Sequence, residues 1–222
     1  MHTGHIQLEQ VLPAEIENRS FEIIQDELAA MGKVLDPVQD LLIRRAIHTT
    51  ADFDYADNLV FSEGAVEAGL NALREGAVII TDTNMAWSGI NKKKLANLGG
   101  EAVCFMADES VAARAAASGS TRAVASMEKA AELYGNASRP CIFAIGNAPT
   151  ALVRLYELVQ EGEDFSRPYH RRSSGICKCG SLKGTDFDAS PYALYCSQGK
   201  KRREQRGGCA VQCAAVSGVR RG

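Results

Sequence analysis

His48, one of four histidines in the chain, lies where an amphipathic helix is expected to end. The helix is predicted to begin after Asp36 with Pro37, a suitable N-cap and first helical residue, and its apolar side chains recur at helical spacing. A helix C-terminus favours an imidazolium by about 0.3–1 kcal/mol, and Asp52 and Asp54 are expected to act in the same direction. Because an imidazolium can donate a proton, His48 is a candidate general acid. A capping or core histidine is the alternative that the local pattern leaves open.

The elements around His48 predict a parallel sheet that is covered by helices. Three short apolar runs have the pattern of strands that are buried on both faces. They are residues 77–81, 101–106 and 141–145. Helical segments alternate with these runs, and their predicted N-caps are Ser20, Ser62, Asp108 and Ser120. Such alternation indicates the α/β class, and a chain of 222 residues fits a single domain.

Open α/β sheets bind their ligands beyond the carboxyl ends of the strands, near helix N-termini. The first loop of this kind, residues 81–91, contains Thr83 and leads into three consecutive lysines at 92–94. Cations are disfavoured in the first turn of a helix, so an anionic ligand there would explain them. A solvated lysine face is the alternative. The sequence has no glycine motif for a dinucleotide or a P-loop at these turns.

Two further loops could hold an anion. Residues 119–122 place hydroxyl groups and the guanidinium of Arg122 at a helix start, a combination that suits a carboxylate or phosphate. Helix capping alone would explain the hydroxyl groups. Residues 146–150 contain Asn147 and Pro149 among small residues, and this composition is expected to leave backbone N–H groups exposed.

Two segments carry a specific resemblance. Arg45 to Phe53 has the pattern R-x-I-H-x-x-x-D-F, and residues 145–152 are IGNAPTAL. Shorter matches occur in the same order along the chain, among them Ser20-Phe21, Thr81-Asp82 and Thr121-Arg122. Together they resemble the precorrin-8X methylmutases over about residues 15–162. The combination is far more specific than any single loop.

The resemblance implies an isomerase of corrin (cobalamin) biosynthesis. The family moves a methyl group from C-11 to C-12 of precorrin-8X or cobalt-precorrin-8 and gives hydrogenobyrinate or cobyrinate, without a cofactor. A sigmatropic methyl shift needs no nucleophile, bound metal or redox partner, but it needs the ring held in shape and one proton donor. The expected cofactor and metal content is therefore none. A non-catalytic corrinoid-binding protein or an inactive homologue is the alternative.

Carried over to this chain, the resemblance assigns His48 as the proton donor. Arg122 is expected to bind the tetrapyrrole substrate, with Ser20, Thr83 and Asn147 as further pocket residues. The resemblance also implies a homodimer that binds the ring near the subunit interface. Neither a membrane span nor a signal-peptide pattern occurs in the sequence, so a cytoplasmic protein without membrane or nucleic-acid partners is expected.

The charge changes abruptly near residue 166. Residues 166–222 carry 12 Lys and Arg against 3 Asp and Glu, and five of the seven cysteines, although the formal charge of the whole chain is only −2. A zinc site is one interpretation, but the cysteine spacings match no standard structural site. A basic arm for nucleic acid is another, but few aromatic residues accompany the charges.

A slip of the reading frame explains this stretch better. When each codon from Ser166 onward is begun one base later, with suitable synonymous codons, the stretch translates into segments like those of the family, and the length fits without gaps. As written, it is too poor in apolar residues to offset its ordering entropy. The prediction is a methylmutase-like α/β domain over 1–165 and an out-of-frame tail over 166–222 that is disordered or poorly packed.

Overall fold

The computed structural model describes residues 12, 15–62, 64–135, 139–146 and 148–161 with their side chains, and the backbone of 193–197 and 213–216. The chain divides into two compact units, Met1–Asp57 and Asn58–Gly222. No helix among the described residues is long and apolar enough to cross a membrane.

The first unit contains helices α1 (Ile16–Ala30) and α2 (Asp40–Thr50). Their buried apolar side chains are Ile24, Leu28, Ile43 and Ile47. The predicted start of α2 at Pro37 is wrong by three residues, because the Asp36 side chain accepts a hydrogen bond from the N–H of Val38 and forms a turn first. A short helix, α3 (Tyr55–Asn58), spans the boundary between the units.

The second unit alternates strands and helices. In chain order its elements are β1 (Leu59–Phe61), α4 (Ala65–Arg74), β2 (Val78–Thr81), α5 (Asn84–Gly89), α6 (Lys92–Asn97), β3 (Glu101–Cys104), α7 (Glu109–Ser118), α8 (Arg122–Tyr134), β4 (Cys141–Ile145), α9 (Pro149–Gln160), β5 (Ala193–Ser197) and β6 (Cys213–Val216). The helix predicted to begin at Ser62 begins at Ala65 instead, because Gly64 takes a left-handed conformation at its N-cap (φ 71°).

The strands form one sheet in the order β1-β5-β6-β4-β2-β3. β2 lies between β3 and β4 and is parallel to both, so the predicted α/β class with a parallel sheet is confirmed for this part. β1, β5 and β6 extend the sheet with antiparallel pairs, which the sequence pattern does not predict.

Helices cover both faces of the parallel strands. On one face, α8 and α9 pack against Val78, Ile80 and Phe143. On the other, alanines of α4 pack near Ile142. Successive residues of a strand point to opposite faces, so strands that are covered on both sides need apolar residues at nearly every position. This requirement explains the short apolar runs of the sequence.

The expected C-terminal tail contributes β5 and β6, whose backbones pair with each other, with β1 and with β4. The rest of 166–222 lies outside the described residues. The boundary at residue 165, and the disorder or poor packing expected beyond it, therefore stay predictions.

Candidate active site

His48 lies in the last turn of α2, as the sequence predicts. The helix ends at Ala51, which takes a left-handed conformation (φ 54°) and donates its N–H to the carbonyl of Ile47 at 2.7 Å. Ala51 is the one described residue other than glycine with a positive φ. The imidazole of His48 is exposed at this helix end, so a ligand can reach it.

Ser20 is hydrogen-bonded to one nitrogen of this imidazole. Its Oγ lies 2.7 Å from Nδ1 of His48. The prediction that Ser20 caps a helix is wrong: α1 begins at Ile16, so Ser20 lies in its second turn and its hydroxyl is directed to His48 rather than to the helix end. A hydroxyl can accept a hydrogen bond from a protonated Nδ1 or donate one to an unprotonated Nδ1. With Nδ1 engaged in this way, Nε2 is the nitrogen that can act on a substrate.

Phe21 contacts the same imidazole from its edge. The two ring centroids lie 5.5 Å apart with an interplanar angle of 72°. The guanidinium carbon of Arg45 lies 4.9 Å from the centroid of the Phe21 ring, and its Nη2 donates to Oε1 of Glu17 at 2.7 Å. This hydrogen bond raises the pKa of Arg45 above its ordinary value, so the cation persists beside the aromatic ring. The cluster limits the orientations that the His48 ring can adopt.

Thr83, a predicted substrate contact, has a structural role in the second unit. Its Oγ1 accepts a hydrogen bond from the N–H of Ala86 at 3.2 Å and caps α5. The hydroxyl of the buried Thr81 donates to the carbonyl of Thr83 at 3.1 Å and fixes the turn between β2 and α5. The Thr83 hydroxyl proton remains able to donate to a ligand, since the cap uses only its oxygen as acceptor.

Asp82 lies at the edge of the candidate site, and the sequence analysis does not single it out as a site residue. It follows β2 directly, is 1% exposed, and accepts hydrogen bonds from the N–H groups of Gly146 and Ala148 at 3.0 and 3.1 Å. The expectation that the 146–150 loop exposes its N–H groups is therefore wrong for these two. Asn147, between them, lies outside the described residues. The sequence signal for Asp82 was its place in the Thr81-Asp82 match, directly after a buried strand.

Arg122 is the first residue of α8, and its side chain is exposed. Among the described arginines it alone makes neither an ion pair nor a side-chain hydrogen bond with another described residue. The cap of α8 is Thr121, which accepts from Val124 N–H at 3.2 Å, so the predicted cap at Ser120 is wrong by one residue. A guanidinium without a partner at a positively polarised helix end is suited to bind an anion.

The N-termini of α8 and α9 lie next to each other, near the carboxyl end of β2. The hydroxyl oxygens of Thr121 and Thr150 lie 3.2 Å apart. Since α9 begins directly after Ala148, which donates to Asp82, a chain of contacts runs from the start of α8 to the end of β2. Arg122 and Thr83 therefore belong to one edge of the second unit, whereas Ser20 and His48 meet in the first unit.

Lys92, the first of the three lysines at 92–94, has local partners, and the anion site stays a prediction. Nζ of Lys92 donates to the carbonyl of Trp87 at 2.9 Å and lies 3.8 Å from the centroid of the Trp87 ring. The side chain of Asn91 caps α6 through the N–H of Lys94. For Lys92, local packing against Trp87 is thus sufficient to explain its position.

Among the residues with described side chains, no cluster of His, Cys, Asp and Glu could hold a metal ion. Burial raises the pKa of Cys141 to about 12, so its thiol stays protonated at neutral pH. The five cysteines of the expected tail lie beyond the part of the chain whose side chains are described.

Known proteins match this chain over most of the residues that the structure describes. The family model of the precorrin-8X methylmutases matches residues 15–168. A cobalt-precorrin-8 methylmutase of Salmonella typhimurium is 44% identical over 148 residues, which are 65% of this chain and 69% of that protein. One from Priestia megaterium is 38% identical over 153 residues, 69% of this chain and 65% of that protein. The chain thus spans about two thirds of the length of these relatives.

Two further proteins are similar to this chain. A cobalt-precorrin-8 methylmutase of Methanothermobacter thermautotrophicus is 35% identical over 209 residues, 92% of this chain and 91% of that protein. The crystal structure of a precorrin-8X methylmutase from Thermus thermophilus superimposes with a TM-score of 0.58 at 39% identity, over 67% of this chain and 70% of that one. With the family model and these relatives in agreement, the chain belongs to the precorrin-8X methylmutase family of isomerases.

Proposed function

We propose that this chain moves the methyl group of precorrin-8X, or of its cobalt-containing counterpart, from C-11 to C-12 with His48 as the proton donor. The main support for this proposal is the hydrogen bond between Oγ of Ser20 and Nδ1 of His48, which lies within the segment that the family model matches. The relatives are named for both forms of the substrate. Conversion of either form by the purified chain is the direct experiment.

In the proposed reaction, Nε2 of His48 gives a proton to a nitrogen or carbon of the ring, and the methyl group then migrates within the molecule. Substrate and product are isomers, so each proton that the histidine supplies is matched by one that leaves the ring. Ser20 supports this cycle because its hydroxyl keeps Nδ1 engaged while Nε2 loses and regains its proton.

The carboxylates of the substrate ring need cationic and N–H partners. Arg122 supports such a role because its guanidinium is exposed at the start of α8 and has no partner among the described residues. Thr83 can add a hydroxyl donor beside its capping role. Asn147 stays a proposed contact on the resemblance alone. Anchoring by these groups would hold the ring in shape during the shift.

Replacing Ser20 with alanine tests whether Ser20 positions the histidine or binds the substrate. We expect kcat to fall by roughly 3- to 10-fold, as for the loss of one ordinary hydrogen bond, while KM stays unchanged. Steady-state kinetics with precorrin-8X measure both constants. Ser118→Ala is the matched control, because it removes an exposed helical hydroxyl that bonds only to the carbonyl of Arg114 and the hydroxyl of Ser120 among the described residues. A rise in KM at constant kcat would instead show that Ser20 contacts the substrate.

We also propose that the chain acts in the cytoplasm as a homodimer. The first unit supports a dimer, because it exposes a run of apolar side chains, of which Val34 is 96% exposed. The others in this run are Met31, Val38, Leu41 and Leu42. Sedimentation velocity of the purified chain measures the assembly directly.

The tail over 166–222 also stays a proposal, and observations on both sides bear on it. The family model stops at residue 168, close to the predicted boundary. On the other side, β5 and β6 pair in the sheet, and the Methanothermobacter match covers 92% of the chain and so reaches beyond that point. The coding DNA around codons 160–167 decides between the two, since an out-of-frame tail requires one base gained or lost there.

A further inference from the structure

Asp82 is a buried carboxylate to which the proposed reaction gives no part. Among the described residues it is the only fully buried carboxylate, with 1% of its surface exposed. Removing an ionised carboxylate from water is strongly unfavourable unless hydrogen bonds replace the lost hydration. The groups that supply hydrogen bonds to Asp82 therefore indicate why a carboxylate is buried there.

Both carboxylate oxygens of Asp82 bond to the loop between β4 and α9. Oδ1 accepts from the N–H of Gly146 at 3.0 Å, and Oδ2 accepts from the N–H of Ala148 at 3.1 Å. The N–H of Asp82 in turn donates to the carbonyl of Ala144 at 3.3 Å and continues the ladder between β2 and β4. The carboxylate thus holds Gly146 and Ala148 of this loop.

This contact requires a carboxylate rather than an amide. An asparagine at position 82 has one acceptor oxygen, so its amide nitrogen would face an N–H donor and leave one backbone N–H without a partner. Gly146 is itself buried, which makes an unsatisfied N–H there costly. The contact through both oxygens is consequently specific to an aspartate at this position.

The contact lies where the chain changes direction across the sheet. The connection after β2 leads to β3 on one side, and the chain then crosses to β4 on the other side of β2. In open α/β sheets, ligands bind in the crevice at such a point, beyond the carboxyl ends of the strands. Asp82 joins the two loops that border this crevice.

We propose that Asp82 is a positioning residue that fixes Gly146, Ala148 and the first turn of α9 for substrate binding. This inference rests on the proposed function, since its effect is measured through binding of the tetrapyrrole. The two hydrogen bonds are in place before the tetrapyrrole arrives, so the substrate does not have to order this part of the loop.

Asp82→Asn in the full chain tests this role with two measurements. Amide hydrogen exchange at Gly146 and Ala148 should accelerate on the order of tenfold or more in at least one of the two, as for loss of a hydrogen bond to a charged group. The dissociation constant for hydrogenobyrinate, the reaction product, should rise about tenfold for the same reason.

Ser126→Ala is the matched control, because Ser126 is fully buried in the same unit and its hydroxyl hydrogen-bonds only to Sδ of Met106 among the described residues. It should lower stability without changing the affinity for hydrogenobyrinate. Accelerated exchange in Asp82→Asn with unchanged affinity would overturn the positioning role and leave a structural one. Unchanged exchange would overturn the contact itself.

Two further outcomes concern the contact itself and the proposed function. If Asp82→Asn does not fold, exchange in the unmodified chain decides: slow exchange at Gly146 and Ala148 supports the contact, and exchange as fast as in an unfolded chain overturns it. If the unmodified chain does not bind hydrogenobyrinate, the proposed function and the positioning role both fail, even where the exchange data show the contact.

Discussion

Replacing His48 with alanine is expected to lower the turnover of precorrin-8X by roughly 10²- to 10⁴-fold, the range for loss of a general acid. The affinity for hydrogenobyrinate should change little, because the role assigned to His48 is proton transfer and the ring is anchored by other groups. Single-turnover kinetics and a binding titration measure the two effects separately. The exposure of the imidazole in the last turn of α2 also predicts that the variant folds normally.

Thr49→Ala is the matched control for His48. Thr49 is the next residue of the same turn, is exposed, and bonds only to the backbone carbonyl of Arg45 among the described residues. It should leave turnover and affinity unchanged. Turnover near the unmodified rate in His48→Ala would show that His48 is a capping residue and not the proton donor.

Replacing Arg122 with alanine is expected to weaken binding of hydrogenobyrinate by about 1.5–3 kcal/mol, the range for a hydrogen bond to a charged group. This corresponds to roughly a 10- to 150-fold rise in the dissociation constant. Because the guanidinium has no ion-pair partner among the described residues, its removal should leave the free energy of unfolding nearly unchanged. A titration of the product and a denaturant melt measure the two quantities.

Two variants sharpen the test of Arg122. Arg74→Ala removes the same charge from the last turn of α4, where the side chain bonds to Asn71, and should leave affinity unchanged. Arg122→Lys keeps the charge without the planar fork and should restore only part of the affinity. Equal affinities for the unmodified chain and Arg122→Ala would remove Arg122 from the binding site.

Local patterns are enough to predict the parallel part of the fold. β2, β3 and β4 are short apolar runs because helices cover both of their faces, and that requirement is visible in each run by itself. The antiparallel strands are different. β1 has three residues, and β5 and β6 occur in a stretch without clear apolar periodicity, so their pairing depends on the rest of the sheet.

The position of Ser20 shows the limit of local patterns at the site. A serine before an apolar run resembles an N-cap, but α1 begins four residues earlier, at Ile16. The contact of Ser20 with His48 joins residues 28 apart in the sequence. Only the packing of α1 beside α2 creates it, so the sequence indicated a site residue without its role.

Asp82 shows the same limit more strongly. In the sequence it is an acidic residue at a strand end, where exposed loop residues are common. Its burial results from the approach of Gly146 and Ala148, which lie 64 and 66 residues further along the chain. No local pattern predicts that a loop so distant in sequence will cover the carboxylate and supply two donors to it.

The most direct test of the proposed function is the conversion of the substrate by the unmodified full chain. The chain is incubated separately with precorrin-8X and with cobalt-precorrin-8, without added cofactor, and the methyl position in the product is determined by NMR. We expect at least one of the two to be converted to the isomer with the methyl group at C-12, and the His48→Ala chain to convert it roughly 10²- to 10⁴-fold more slowly. A folded chain that binds both compounds and converts neither would contradict the proposed function.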